Sequence, residues 1–382
     1  MKRLALVSPY LPGPAGPGGR VRTHILARAA AERFDLHLFA AAHPREVERA
    51  GAELEHYAQV TVAKPRVWRS PRSQLPWRAR GSAGIERAFR NAHAEQPFDG
   101  MWVEQALAAP LALQSGLRWL LDEHHLESAV LEATLNASGK AGRVERREIS
   151  AMAALEARAW DQAQELVCAT DGDAAAVAVT RTGPITVVPN GVDVEGLPFR
   201  RPSARTGADV LFMGAMNHPP HEEAAAELAR EIMPRVWKDR PEARLVLSGA
   251  NPSRRVRRLA HERVEVTGAV DRPGDYLEKA RVFAHPLRRG RGAFSILLGA
   301  LASGLPLVST ELGLRALELS GETPILRAES PEAFAAAILT VLSGPAEADA
   351  EALNGRGRAE ARSWDALGQG FVEVLERWVE AT

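Results

Sequence analysis

Short, continuous apolar runs recur along the first half of this 382-residue chain, each cut off by proline, glycine or a charged residue. Leu4 to Ser8 (LALVS), Leu36 to Ala40 (LHLFA), Met101 to Glu104 (MWVE), Arg118 to Glu123 (RWLLDE) and Glu165 to Thr170 (ELVCAT) are of this kind. They do not alternate apolar with polar, so they predict strands of a parallel sheet covered on both faces. Ala- and Arg-rich stretches of helical character separate them, and strands alternating with helices are βαβ units. A second set follows: DVLFMG (from Asp209), RLVLSG (from Arg244), VEVTG (from Val264), RVFAHP (from Arg281) and LPLVST (from Leu305). Between the sets lies a Pro-, Arg- and Gly-rich passage, EGLPFRRPSARTGAD. The pattern predicts domains over residues 1–190 and 208–362 joined by a linker over 191–207. The amphipathic segment Trp364 to Glu380 predicts a terminal helix, within 363–382, packing at the domain boundary.

The expected fold class is therefore α/β, with two doubly wound domains facing across a cleft at the carboxyl ends of their strands. Forty-eight basic and forty-eight acidic residues cancel, which argues against nucleic acid as the main partner. The lone Cys168 excludes an intramolecular disulfide framework and a cysteine-rich zinc site, and suits a reducing cytoplasm. No apolar run approaches the roughly 20 residues that span a bilayer, and the opening MKRLALVSPYLPGP is too short in its apolar part for a signal peptide. One local charge imbalance stands out. Lys64, Arg66, Arg69, Arg72, Arg78, Arg80, Arg87 and Arg90 are interleaved with Trp68 and Trp77 against Glu86 alone. Residues 64–90 are thus a candidate for peripheral contact with anionic lipid or a polyprenyl-phosphate acceptor, and equally for a solvated surface loop.

Four stretches carry candidate chemistry. The loop SPYLPGPAGPGGRVRTH (Ser8 to His24) follows a strand and opens a helix near Arg20, a place that offers backbone N–H groups to an anion. It fits neither the dinucleotide nor the Walker glycine pattern. LDEHHLE (Leu121 to Glu127) gathers Asp122, Glu123, His124 and His125 after a strand, where a histidine suits sugar hydroxyls or proton transfer. Helix capping is the plain alternative, and without further paired ligands at regular spacing no metal site is assigned. HPPHEE (His218 to Glu223) is ordinary helix-start chemistry, with Gly214 and Asn217 expected to line the cleft.

The fourth stretch, RRGRGAFSILLGALASGLPLVST (Arg288 to Thr310), predicts a helix from about Ala293 to Ser303, closed by Gly304 and buried on nearly every side. Its start at Gly292, with Arg288 and Arg291 beside it, makes a candidate diphosphate site. Arg254 and Arg255 are further candidates.

These segments, with VVPNGVD (Val187 to Asp193), LFMGAMNHPPHEEA (Leu211 to Ala224), LVLSGANP (Leu245 to Pro252), VTGAVDRPGDYLEKARVFAHPLR (Val266 to Arg288) and ALASGLPLVST (Ala300 to Thr310), run in an order that resembles the retaining GT-B glycosyltransferases of family 4. Bacterial exopolysaccharide-type sugar transferases are the most similar in character. The resemblance implies two Rossmann-like domains, a nucleotide-sugar donor in the second and a glycan or lipid-linked acceptor in the first. It also implies retained anomeric configuration and no obligatory metal or other cofactor. Carried onto this chain, it implies that His124 contacts the sugar and that Arg288 and Arg291 stabilise the leaving diphosphate. Gly18 and Gly19 would let the backbone approach donor or acceptor, while Gly214, Asn217, Gly292 and Ser295 line the nucleotide pocket.

One departure matters. Counting back from Gly304, the family's ribose-binding glutamate falls at Gly299, its lysine at Ile296 and a second glutamate at Arg291. Residues 292, 295, 296 and 299 share one helical face, here Gly, Ser, Ile and Gly. A glycine inside a helix gives up about 1 kcal/mol relative to alanine, so a close neighbour is expected at Gly299. Two outcomes follow: a transferase with a donor site rebuilt around arginine, or a binding or scaffold protein that has lost donor recognition.

Overall fold

The computed structural model describes residues 1–14, 18–64, 66–68, 78–80, 83–138, 142–289, 295–317, 325–344 and 348–381. They divide into two compact units, Met1–Asn190 with Trp364–Thr382, and Gly191–Ser363.

In the first unit the strands are β1 (Lys2–Ser8), β2 (Phe34–Ala41), β3 (Gln59–Ala63), β4 (Arg66–Trp68), β5 (Arg78–Arg80), β6 (Gly100–Glu104), β7 (Trp119–Glu123), β8 (Glu165–Cys168) and β9 (Ile185–Val187). Seven of them form a sheet in the order β3-β2-β1-β6-β7-β8-β9, with every neighbouring pair parallel. The order reverses between β1 and β6, the topological switch point at whose carboxyl side such sheets place their sites. Continuous burial along β1, β6 and β7 is what their unbroken apolar runs dictate, because helices cover both faces.

The basic run contains a short antiparallel hairpin, β4 with β5. Residues 65, 69–77 and 81–82 of that run, including Trp77, lie outside the described residues. Lys64, Arg87 and Arg90 are exposed.

The terminal helix Trp364–Glu380 belongs to the first unit. It lies along helix Gly18–Ala31, its Phe371 ring 4.7 Å from that of Trp102 on β6. Its buried Phe371, Leu375 and Trp378 recur every three or four residues, the spacing that puts them on one face.

In the second unit the strands are β10 (Asp209–Met213), β11 (Arg244–Ser248), β12 (Val264–Gly268), β13 (Val282–His285), β14 (Leu307–Ser309) and β15 (Ile325–Arg327). They form a parallel sheet in the order β12-β11-β10-β13-β14-β15, reversing between β10 and β13.

The passage expected to be a linker is built into this unit. Val192 bridges Ser363, and buried Arg205 donates to the carbonyls of Leu277, Glu278, Ala280 and Ser303. One guanidinium thus satisfies several carbonyls that would otherwise be orphaned. Composition alone reads such an arginine as solvent-facing. Among the described residues, no helix is long and apolar enough to cross a membrane.

Candidate functional site

Strand alternation sorts the residues at the end of β7. Asp122 faces helix Gly18–Ala31, while Glu123 faces the other way. There Glu123 accepts from the Trp160 indole at 2.9 Å and from the Ala106 amide. Burial, with the nearby Glu156 carboxylate, pushes its carboxyl up to about 8. Asp122 receives Arg22 in a two-pronged pair, Nε to Oδ2 at 3.1 Å and Nη2 to Oδ1 at 2.8 Å. Arg22 also donates to the carbonyls of Val188 and Pro189 and to the Asn190 side chain.

His124 Nε2 lies 2.5 Å from Glu104 Oε2, at the end of β6, and Nδ1 lies 3.2 Å from the Tyr10 hydroxyl. Thr23 Oγ1 sits 2.9 Å from the same Glu104 oxygen and 3.2 Å from the Tyr10 hydroxyl. Just beyond Glu104 the backbone turns through Gln105 with φ of 58°, the left-handed region that non-glycine residues enter at a cost.

Two cations and two anions therefore compensate one another with little access to water. Burial drives the Asp122 carboxyl up, but Arg22 and His124 outweigh it and hold it down to about 2. Burial drives the His124 ring down, but Glu104 and Asp122 outweigh it and raise it to about 9. The Glu104 carboxyl is raised, chiefly by burial, and its Oε1 has no partner among the described residues.

Glu104, Asp122 and His124 also have ligand-type atoms within 4.8 Å of one another. Both Asp122 oxygens already hold Arg22, and His124 Nε2, although without a well-formed hydrogen bond, already forms an ion pair with Glu104 Oε2. A divalent ion would add charge to a set already balanced by a fixed guanidinium. The donor set fits an ion-pair network better than a metal.

Helix Gly18–Ala31 begins at the glycine pair rather than near Arg20. A Cβ at Gly19 would come within 2.7 Å of His124 Nδ1 and 3.0 Å of the Tyr10 hydroxyl. Gly19 is thus required by packing inside the protein. Among the described residues, nothing lies within 4 Å of a Cβ added at Gly18.

In the second unit the loops after β10 and β11 meet backbone to backbone. A Cβ at Gly249 would fall 1.7 Å from the Gly214 carbonyl oxygen, and one at Gly214 would fall 2.7 Å from His221 Nδ1. Asn217 is exposed, just ahead of helix Pro219–Glu227, whose first residue is the proline. His285, at the end of β13, is buried, and burial with the His221 ring beside it pulls its pKa down to about 3.

Arg288, expected beside a diphosphate, is engaged by protein groups. Its Nε and Nη2 pair with Glu227 and its Nη1 donates to the Glu329 carbonyl at 2.6 Å. Arg289 pairs with Glu223 in the same way. Both glutamates lie on helix Pro219–Glu227.

Arg291 and Gly292 lie outside the described residues. Helix Ser295–Ala302 starts at exposed Ser295 and is buried from Leu297 onward. Among the described residues, a Cβ at Gly299 would meet Leu277 and Leu197, at 3.6 and 3.7 Å. No closer neighbour among the described residues stands at Gly299, and these two are apolar. Glu104, Arg22, Thr23 and Tyr10 were not singled out from the sequence; a charged residue ending an otherwise apolar strand was the available signal for Glu104.

Residues 207–344 match the family described as Glycosyl transferases group 1. The matched region runs through both sides of the β10/β13 switch point and includes Gly214, Asn217, Arg288 and Ser295. No curated protein sequence matches the chain. Among solved structures, sucrose-phosphate synthase from Thermosynechococcus elongatus has a TM-score of 0.71 at 18% identity, covering 100% of each chain. Anabaena HepE in complex with UDP has a TM-score of 0.68 at 13% identity, over 98% of this chain and 100% of that one. WaaG, a glycosyltransferase involved in lipopolysaccharide biosynthesis, has a TM-score of 0.64 at 15% identity, over 99% of this chain and 100% of that one. The fold is that of the GT-B glycosyltransferases, with two parallel-sheet Rossmann-like units.

Proposed function

We propose that this protein is a glycosyltransferase of the family 4 type, moving a sugar from a nucleotide-sugar donor to a glycan or lipid-linked acceptor. In this reading transfer retains the anomeric configuration, as in polysaccharide or cell-envelope glycan synthesis, and needs no resident metal or other cofactor. One observation carries it: the glycosyl transferase match coincides with the unit whose β10 and β13 ends form a nucleotide-type switch point. HepE has been solved with UDP and with UDP-glucose, which makes uridine diphosphate the first donor nucleotide to test.

Within the second unit, the tight approach of Gly249 to Gly214 brings two loop backbones together where a nucleotide would lie, with Asn217 beside them. Ser295 is the first described residue of helix Ser295–Ala302, and N–H groups at a helix start favour a phosphate. Arg288 lies on the loop between β13 and that helix, so a diphosphate can compete with Glu227 for its guanidinium. The first unit is assigned the acceptor, in a cytoplasmic protein, with the exposed Lys64, Arg87 and Arg90 as contacts for a membrane-borne one.

Calorimetric titration with UDP, GDP, ADP and dTDP tests the reading. Micromolar binding of at least one, weakened about tenfold by Arg288→Ala, is expected from the loss of a charge-assisted hydrogen bond. Silence from the unmodified protein in all four titrations, with binding restored by Ile296→Lys and Gly299→Glu, would mean that donor recognition has been lost.

A further inference from the structure

His124 is the residue that the resemblance aims at a sugar, yet both of its ring nitrogens are engaged inside the first unit. Nε2 meets Glu104 at 2.5 Å and Nδ1 meets the Tyr10 hydroxyl at 3.2 Å. The residue is only 6% exposed, and Gly19 closes over it so tightly that a single added carbon would collide with Nδ1. His124 therefore has no hydrogen-bonding position that a substrate can reach: Nε2, although it makes no well-formed hydrogen bond, is buried against Glu104.

Tyr10 differs from every other member of the network. Arg22, Thr23, Glu104, Asp122 and His124 are all buried, whereas Tyr10 is half-buried. It stands on the loop after β1, between Pro9 and Pro12, where proline restricts the backbone. Its hydroxyl is 3.2 Å from both Thr23 Oγ1 and His124 Nδ1. The Thr23 separation exceeds the usual 2.7 to 2.8 Å for O–H···O bonds, and the His124 separation stands at the long end of the 2.7 to 3.2 Å range for N–H···O bonds. The phenol is held loosely enough to exchange one partner.

Hydrogen-bond bookkeeping gives the hydroxyl a direction. The imidazolium of His124 sets Nε2 against Glu104 Oε2 as an ion pair at 2.5 Å without a well-formed hydrogen bond, and donates through Nδ1 to Tyr10 Oη. Thr23, whose single hydrogen goes to Gly19 O or Glu104 Oε2, accepts the Tyr10 O–H at 3.2 Å, so a sugar hydroxyl would replace Thr23 as that acceptor and donate to the remaining Tyr10 lone pair. Burial holds the phenol in its protonated form. A sugar hydroxyl, which also donates once and accepts, is complementary to that pair of sites.

Resting on the transferase reading above, we propose that Tyr10, rather than His124, is the residue through which this network recognises a sugar hydroxyl. Glu104 and His124 are positioning residues: they occupy one Tyr10 lone pair and fix the hydroxyl, whose O–H exchanges Thr23 for the sugar.

Tyr10→Phe keeps the ring and removes the hydroxyl. Binding of UDP, GDP, ADP and dTDP is compared with that of their glucose conjugates, and KM is measured separately for donor and acceptor. A weakening of about three- to tenfold, the scale of one hydrogen bond, is expected in one arm. Loss of the glucose conjugate's advantage over its nucleotide assigns the hydroxyl to the donor sugar; a raised acceptor KM assigns it to the acceptor. In either case kcat stays within about twofold and bare-nucleotide affinity is unchanged. Glu104→Gln is expected to raise the same constant, and to add nothing when combined with Tyr10→Phe, a coupling that a merely structural role would not produce. Nucleotide binding and transfer that persist with every sugar-dependent constant unchanged in Tyr10→Phe would overturn the Tyr10 assignment alone. Failure of every nucleotide to bind, with no transfer, overturns the transferase reading and this assignment with it.

Discussion

In the first unit the residues at the strand ends are charged, buried and mutually compensating; in the second they are glycines, neutral histidines and arginines paired at the surface. Arg22, Asp122, Glu104 and His124 hold one another with side chains at most 4% exposed, so each member depends on the next. Arg288 and Arg289, by contrast, are 42% and 45% exposed in their pairs with Glu227 and Glu223. Surface pairs of this kind are each worth about 0 to 1 kcal/mol. The contrast separates two kinds of site. The first unit presents a buried set whose charges are already paired with one another, whereas the second keeps cations whose present partners are cheap to replace with a phosphate.

Breaking the first network tests that distinction most severely. Asp122→Asn leaves the Arg22 guanidinium at 0% exposure without its counter-ion, and an unpaired buried charge costs about 3 to 5 kcal/mol. Denaturant unfolding should show a loss of that size, whereas Arg289→Ala should stay below about 1 kcal/mol. Similar losses from both variants would erase the difference between the units.

Acid and base should also act on the two units with different signs. His124 and Glu123 have folded pKa values raised to about 9 and about 8. Their stabilisation is complete below their unfolded values and fades as pH rises, for Glu123 from about 4.5 toward 8 and for His124 from about 6.5 toward 9. In the second unit His285 is lowered to about 3, so its contribution is complete above about 6.5 and fades as pH falls toward that value. His56 in the first unit, lowered to about 4 chiefly by burial, adds an acid-side loss there, which leaves the alkaline limb as the discriminating one. Between pH 7 and 9, amide exchange should accelerate more in Met1–Asn190 than in Gly191–Ser363. Equal acceleration in both would show that the raised groups do not govern the first unit.

Much of the fold was legible in the chain because buried parallel strands leave a direct imprint: β1, β6, β7, β10, β11 and β13 sit within two residues of their apolar runs. The edge strands β3 and β15 escaped notice, since QVTVA and ILR are short and only partly buried. Arg205 misled for a different reason. Charge and proline around it read as a linker, whereas its guanidinium collects carbonyls from residues 72 to 98 positions away in the chain. The site was legible in its residue types but not in its pairings. Asp122 and His124 stood out, yet their partners Arg22 and Glu104 lie 100 and 20 positions upstream, and only the parallel order β1-β6-β7 brings them together. A glycine inside the helix at Gly299 predicts a close approach, whereas the described neighbours Leu197 and Leu277 pack there at ordinary distances.

The finest test of the comparison leaves the fold nearly untouched. Glu227→Gln removes the charge that competes for Arg288 while keeping an acceptor for its N–H groups, so stability should change by less than about 1 kcal/mol. If Arg288 is available to a diphosphate, that substitution should tighten nucleotide binding about two- to fivefold, because the guanidinium no longer has to leave a carboxylate. The nucleoside without its diphosphate should bind equally to both proteins, which isolates the effect to the phosphates. Unchanged diphosphate affinity would mean that Arg288 remains a tie between the β13 loop and helix Pro219–Glu227, and that the donor's charge is met elsewhere.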